Sequence, residues 1–210
     1  MKYDPAKHHR HSIRLKGYDY ATPGAYFVTI CAQNRECLFG EIGAEGEMRL
    51  NDAGRMVEKW WLELNHKFPN VDTDEYVVMP NHFHGIVVIV PPDDNVGADL
   101  RVGPNMRVGP GVGPDAGTHV GPNPGAHTGA PLAGASLPTV IQWFKTMTTN
   151  EYIREVKTLG WPPFPGKLWQ RNYWERIVRN EAALEHIRQY IVNNPARWTL
   201  DQANPQRRSA

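Results

Sequence analysis

The spacing of hydrophobic and polar positions changes along this chain, and each spacing predicts an element. Residues 25–32 bring Tyr26, Phe27, Val28, Thr29 and Ile30 together, the aromatic and β-branched composition of a strand, and a hairpin partner is expected at 38–42. The period then lengthens. Met56, Val57, Trp60, Trp61 and Leu64 recur three and four residues apart behind Asn51 or Asp52, which predicts a capped amphipathic helix closed by Pro69. Residues 75–79 and 82–90 are β-rich with Pro80 and Asn81 between them, the pattern of a hairpin. Its second strand is apolar on both faces and should be central in a sheet.

At residue 91 the pattern breaks off. As far as 135 the chain is mostly Gly, Pro, Ala, Asn and Asp, with Val-Gly-Pro recurring at Val102, Val108, Val112 and Val120. Such a stretch has too little apolar surface to offset the roughly 1–2 kcal/mol per residue lost on ordering a backbone, and it reads as a low-complexity insertion. Helical spacing resumes with Leu137, Val140, Ile141, Phe144, Met147 and Tyr152, with Lys145 on the polar side. An extended segment at 168–178 follows. A last helix, capped by Asn180, carries Leu184, Ile187, Tyr190 and Ile191 and ends before Pro195. Leaving out the extra hairpin strand, the order is strand, helix, strand, strand, helix, strand, helix. That is the split βαβ pattern of an α+β, ferredoxin-like fold: an antiparallel sheet with helices packed on one face. The expected organisation is a basic arm at 1–20, one domain made of 21–90 and 136–198, the insertion at 91–135 and a tail at 199–210.

Composition narrows the class only modestly. The formal charge is +1, from 23 basic and 22 acidic residues, so net charge identifies no partner. Its distribution says more, because residues 36–75 are mostly acidic while both ends are basic, an asymmetry that permits a polyanion on one face. No apolar run approaches the roughly 20 residues needed to cross a bilayer, and the basic start has no apolar signal core behind it, so a soluble, cytoplasmic protein is expected. Cys31 and Cys37 are too few for a disulfide framework or a four-thiolate site and read as reduced, structural thiols.

His82-Phe83-His84 is the candidate chemistry. On a strand, positions 82 and 84 share a face and Phe83 takes the other, so two imidazoles stand side by side, an arrangement that coordinates divalent ions with little reorganisation. Taken alone, the pair is equally compatible with exposed or hydrogen-bonded histidines, since the motif is short.

Three motifs together carry a resemblance: Val78-Met79-Pro80-Asn81-His82-Phe83-His84-Gly85, then Leu168-Trp169-Gln170-Arg171, then Tyr190-Ile191-Val192-Asn193-Asn194-Pro195. In this order they resemble the HUH single-tyrosine transposases, and within them the REP-associated tyrosine transposases, over nearly the whole chain apart from the insertion and the ends. The resemblance implies an HUH nuclease fold, with His82 and His84 as ligands of Mg²⁺ or Mn²⁺ and Asn194 as a further ligand. It also implies that Tyr190 is a nucleophile forming a 5′-phosphotyrosine with single-stranded or hairpin DNA, in a monomer or a homodimer. A tyrosine and an asparagine four apart share a helix face, although a residue before proline is disfavoured in helical conformation.

Tyr173 competes with Tyr190, but it lacks the helical partner that makes Tyr190 part of a constellation. For strand binding, arginine beside aromatics suits phosphates and bases, which singles out Lys145, Arg171, Trp174 and Arg176, with Arg10 and Arg14 of the basic arm. Two other functions stay open: a nucleic-acid-binding protein that keeps the fold but cleaves nothing, and a His-x-His metallohydrolase that needs no tyrosine.

Overall fold

A computed structural model describes residues 14–91 and 134–208. Arg10 and nearly all of the expected insertion lie outside the described residues. In chain order the elements are β1 (Gly24–Cys31), β2 (Gly40–Ile42), β3 (Met48–Leu50), α1 (Asp52–Leu62), α2 (Leu64–Lys67), β4 (Val71–Met79), β5 (His82–Ile89), α3 (Leu137–Thr158), β6 (Trp174–Val178) and α4 (Glu181–Val192). The two expected caps are made by side chains. Asn51 Oδ1 accepts the Gly54 N–H at 2.9 Å, and Asn180 Oδ1 accepts the Ala183 N–H at 2.8 Å.

The main sheet runs β4-β5-β1-β6 and every neighbouring pair is antiparallel. This is the α+β class read from the sequence, with the apolar β5 inside the sheet. Two details differ from expectation. The strand near 38–42 does not pair with β1; it forms β2 and pairs with β3, Gly40 opposite Leu50 and Ile42 opposite Met48. Both sides of β1 are already taken by β5 and β6. The helices also do not share one face. The helices α1 and α3 cover Phe83, Val87 and Ile89 on one side, while Ile187 and Ile191 of α4 cover Ile86 on the other. A central strand that is apolar on both faces needs cover on both.

On the α1/α3 side Trp61 is fully buried, with its ring 4.5 Å from Phe83 and 5.5 Å from Phe144, centre to centre. Gly85 makes room for it, because a Cβ there would come within 2.5 Å of the Trp61 ring. The residue after the His-x-His pair is thus a packing requirement. Asn70 ties together both ends of the stretch 92–133. Its carbonyl accepts the Val90 N–H at 2.9 Å, and its amide exchanges two 3.1 Å hydrogen bonds with the Ala135 backbone.

The segment expected to be a tail is folded through residue 208. It contains part of a 3₁₀ helix at Pro195–Leu200 and another at Pro205–Arg208, and Ala203 and Asn204 are buried. No helix among the described residues is long and apolar enough to cross a membrane.

Candidate metal and tyrosine site

Pairing in the sheet sets the site. Opposed residues of an antiparallel ladder project to the same face, so His82 lies beside Cys31, and His84 lies beside Thr29. These side chains all point toward α4, and Phe83 points away, as the alternation predicts. Both histidines are buried, 2% and 4% exposed.

The hydrogen bonds around His82 decide where its proton sits. The amide nitrogen of Asn81 donates to the carbonyls of Arg35 (2.9 Å) and Ala203 (2.8 Å), which leaves Asn81 Oδ1 facing His82 Nδ1 at 2.9 Å. An acceptor there requires His82 Nδ1 to carry the proton, and so Nε2 keeps its lone pair. His84 Nδ1 is engaged by Thr29 Oγ1 at 2.8 Å, and the two Nε2 atoms stand 3.1 Å apart. When the His84 Nδ1–H donates to the threonine, two lone pairs converge on one point. A cation relieves that repulsion.

Two further groups face this point or its surroundings. Asp201 Oδ2 is 3.8 Å from His82 Nε2, and the ligand atoms of His82, His84 and Asp201 all lie within 4.8 Å of one another. Asn194 is buried with no hydrogen-bond partner for Oδ1, an orphaned acceptor of the kind a cation satisfies. It sits in helical conformation (φ −62, ψ −44) despite the following proline, because the chain runs on directly into the 3₁₀ helix. Two imidazoles and a carboxylate therefore fit a divalent cation.

Electrostatics keeps the imidazoles neutral. Burial pushes His82 down to about 4, Asp201 opposing the shift and Arg35 adding to it. Burial, then the neighbouring His82, holds His84 well below its ordinary value. Neutral imidazole is the ligating form.

Tyr190 comes from α4. Its hydroxyl is 3.4 Å from His84 Nε2, and its ring meets Phe27 edge-on at 5.9 Å. Burial and the Asp201 carboxylate raise the phenol above its usual value, while a hydrogen bond from Asn194 and the charge of Arg197 oppose them. Without a cation the hydroxyl keeps its proton at neutral pH. Tyr173 is on the other side of the sheet, in the α1/α3 core, raised to about 12 mainly by burial, with Arg14 over its ring at 5.3 Å. The two tyrosines are thus separated by the sheet.

The other residues singled out in the sequence scatter. Lys145 donates to the carbonyls of Gln170 (2.7 Å) and Arg171 (3.0 Å), and burial, with Lys167 nearby, lowers it to about 8. It braces the chain leading to β6. Trp174 and Arg176 are exposed and lie opposite Thr29 and Phe27, on the histidine face, while Arg171 is exposed just before them. Cys31 and Cys37 are both free. Asp201, Asn81 and Thr29 are the site residues that the sequence did not mark. Asn81 had the signal of a turn residue adjoining the histidines; Asp201, 117 positions past His84 by numbering, had none.

No family model matches the sequence. A REP-associated tyrosine transposase, solved bound to a REP hairpin, overlays with a TM-score of 0.48 at 16% identity, covering 88% of this chain and 73% of that one. A candidate transposase of Deinococcus radiodurans overlays at 0.38 and 16%, covering 86% and 95%. Sequence similarity is closer to an uncharacterized protein of Haemophilus influenzae, 36% identical over 204 residues that span 96% of each chain. This chain belongs to the same protein family as that Haemophilus influenzae protein.

Proposed function

We propose that this protein is a single-tyrosine DNA nuclease and strand transferase of the HUH kind, acting on single-stranded or hairpin DNA. One observation carries the reading: the hydroxyl of Tyr190 lies 3.4 Å from the Nε2 of His84, at the point where two neutral imidazoles converge. A nucleophile and a cation site brought together from two elements are what transfer at a phosphodiester requires.

His82, His84 and Asp201 would hold Mg²⁺ or Mn²⁺, with the orphaned Asn194 Oδ1 as a fourth donor. A bound cation supplies charge that polarises a phosphate oxygen and favours the phenolate. Asn81 keeps the His82 ring in the ligating tautomer, and Thr29 Oγ1 accepts from Nδ1–H when His84 takes the same form. Asn194 and Arg197 stabilise negative charge on Tyr190. The Tyr190 oxygen attacks phosphorus, its proton passing to solvent. The bond from phosphorus to the 3′ oxygen breaks, and that oxygen takes up a proton to become a 3′-hydroxyl. The 5′-phosphate stays on Tyr190, so the phosphodiester energy is retained and a second 3′-hydroxyl can reverse the step. Because Tyr190 reaches a histidine of its own chain, a monomer suffices.

The carboxylate of Asp201 favours a second reading, since a His-His-carboxylate set also suits a hydrolase that uses no tyrosine. End-labelled hairpin oligonucleotides incubated with Mg²⁺ or Mn²⁺ separate the two. The nuclease reading expects a covalent protein–DNA band on the fragment downstream of the nick, lost in Tyr190→Phe, in His84→Ala and with chelator. Cleavage that survives Tyr190→Phe establishes the hydrolase instead, and binding without cleavage by the wild type rejects both.

A further inference from the structure

We propose that Trp174 is a base-stacking platform that reads the nucleotide beside the cleaved phosphate; the inference rests on the nuclease reading above. The warrant is a single cross-strand row. Thr29 on β1 is opposed by His84 on β5 and by Trp174 on β6, so the three side chains project side by side from one face. Two strand spacings put the backbones of His84 and Trp174 about 10 Å apart. That is about one or two nucleotides along an extended strand whose phosphate sits at Tyr190.

The surface between them suits a single strand. Thr29 and Phe27 are half-buried, leaving a shallow floor next to the buried histidines. Trp174 is 65% exposed and, among the described residues, is the only tryptophan left in that condition. An indole standing free on an edge strand is a liability for aggregation unless something covers it. Arg176 projects from the next row, opposite Phe27, against which the Tyr190 ring packs. Arg171 and Arg179 lie exposed just before and after this strand. An aromatic plane among guanidinium groups fits an unpaired base with its flanking phosphates, whereas a protein partner of apolar chemistry would leave the arginines unpaired.

The test uses the full chain and a hairpin-flanked single-stranded oligonucleotide carrying one abasic residue at each position in turn. Affinity is measured for wild type, Trp174→Ala and Trp174→Phe, and the position of covalent joining is mapped on the same oligonucleotides. Wild type is expected to lose about tenfold in affinity at one abasic position, one or two nucleotides from the join. Trp174→Ala should lose a similar amount on intact DNA and become insensitive to the abasic residue at that position alone, while Trp174→Phe, which keeps a π-face, should restore the wild-type profile. Joining by Trp174→Ala with an unchanged abasic profile overturns the platform and leaves the nuclease reading standing. A coupled position far from the join also overturns it. Failure of the wild type to bind any of the oligonucleotides overturns both.

Discussion

Asn81 acts on the site without reaching the reacting atoms. Its two donated hydrogen bonds orient its amide, and that orientation determines which nitrogen of His82 is free. The loop that receives one of them is held at some strain, with Asn34 and Arg35 both at positive φ (57 and 58), a region that arginine rarely enters. Burial of the two histidines has a measurable consequence for stability. Above about pH 7.5 they are neutral in both folded and unfolded chains and contribute nothing to the pH dependence. As the pH falls from there toward 4, the unfolded chain takes up protons that the folded chain refuses, so stability should fall by up to about 1.4 kcal/mol per pH unit for each histidine. Urea unfolding at pH 7 and pH 5.5 reads this directly. The loss should shrink in the double variant His82→Gln, His84→Gln, and equal losses in the two proteins would reject the assignment.

At the scale of elements, the helix carrying Tyr190 has a modest apolar footing: Ile187 and Ile191 are buried on Ile86, and Leu184 and sheet residues such as Phe27 and Val88 are half-buried around them. A bidentate ion pair adds to it. Arg188 on α4 donates to both oxygens of Asp74 on β4, Nε to Oδ1 at 3.0 Å and Nη2 to Oδ2 at 2.5 Å. Asp74 adjoins the register shift between Thr73 and Tyr76, where the ladder with β5 is interrupted. Burial opposes ionisation of Asp74, but the Arg188 hydrogen bond and the Glu75 N–H outweigh it and hold the carboxyl below its usual range. The contribution is therefore present above the ordinary carboxylate range and disappears as the pH falls through the lowered value. Arg188→Ala should cost about 1–2 kcal/mol at neutral pH and progressively less below about pH 4. Chemical unfolding of both proteins at pH 7 and pH 3 checks it; a penalty unchanged at pH 3 would show that the pair is not its source.

For the whole molecule, the sheet is completed by residues on either side of the stretch 92–133, and Asn70 brings those two sides together. Val90 and Ala135 are bonded to the same residue, so a short connection spans the gap. Replacing 92–133 by a short Gly-Ser loop should leave the fold intact and raise stability slightly, since closing a shorter loop costs less, by about 0.6 kcal/mol per halving of length. Thermal unfolding and the covalent-joining assay together test this. A large drop in melting temperature would show that the stretch supports the core, and loss of joining with an unchanged melting temperature would show that it takes part in binding DNA.

Local patterning determined the elements, because period and capping act over a few neighbouring residues: the caps at Asn51 and Asn180, the hairpin around Pro80 and Asn81, the shared face of His82 and His84, and the helical position of Tyr190 were legible in order of residues alone. Partnerships across the chain were not. Nothing near residue 40 says that β1 has both edges filled, so β2 turns to β3. The helical spacing of α4 shows that it has an apolar side and not which face of the sheet it covers. Asp201 reaches His82 only because the chain folds back after α4, and it carries no local mark of that role. Tertiary structure decided these points because sheet edges, faces and buried lone pairs are satisfied by whichever distant residue the folded chain brings near, and proximity in space has no period along the sequence.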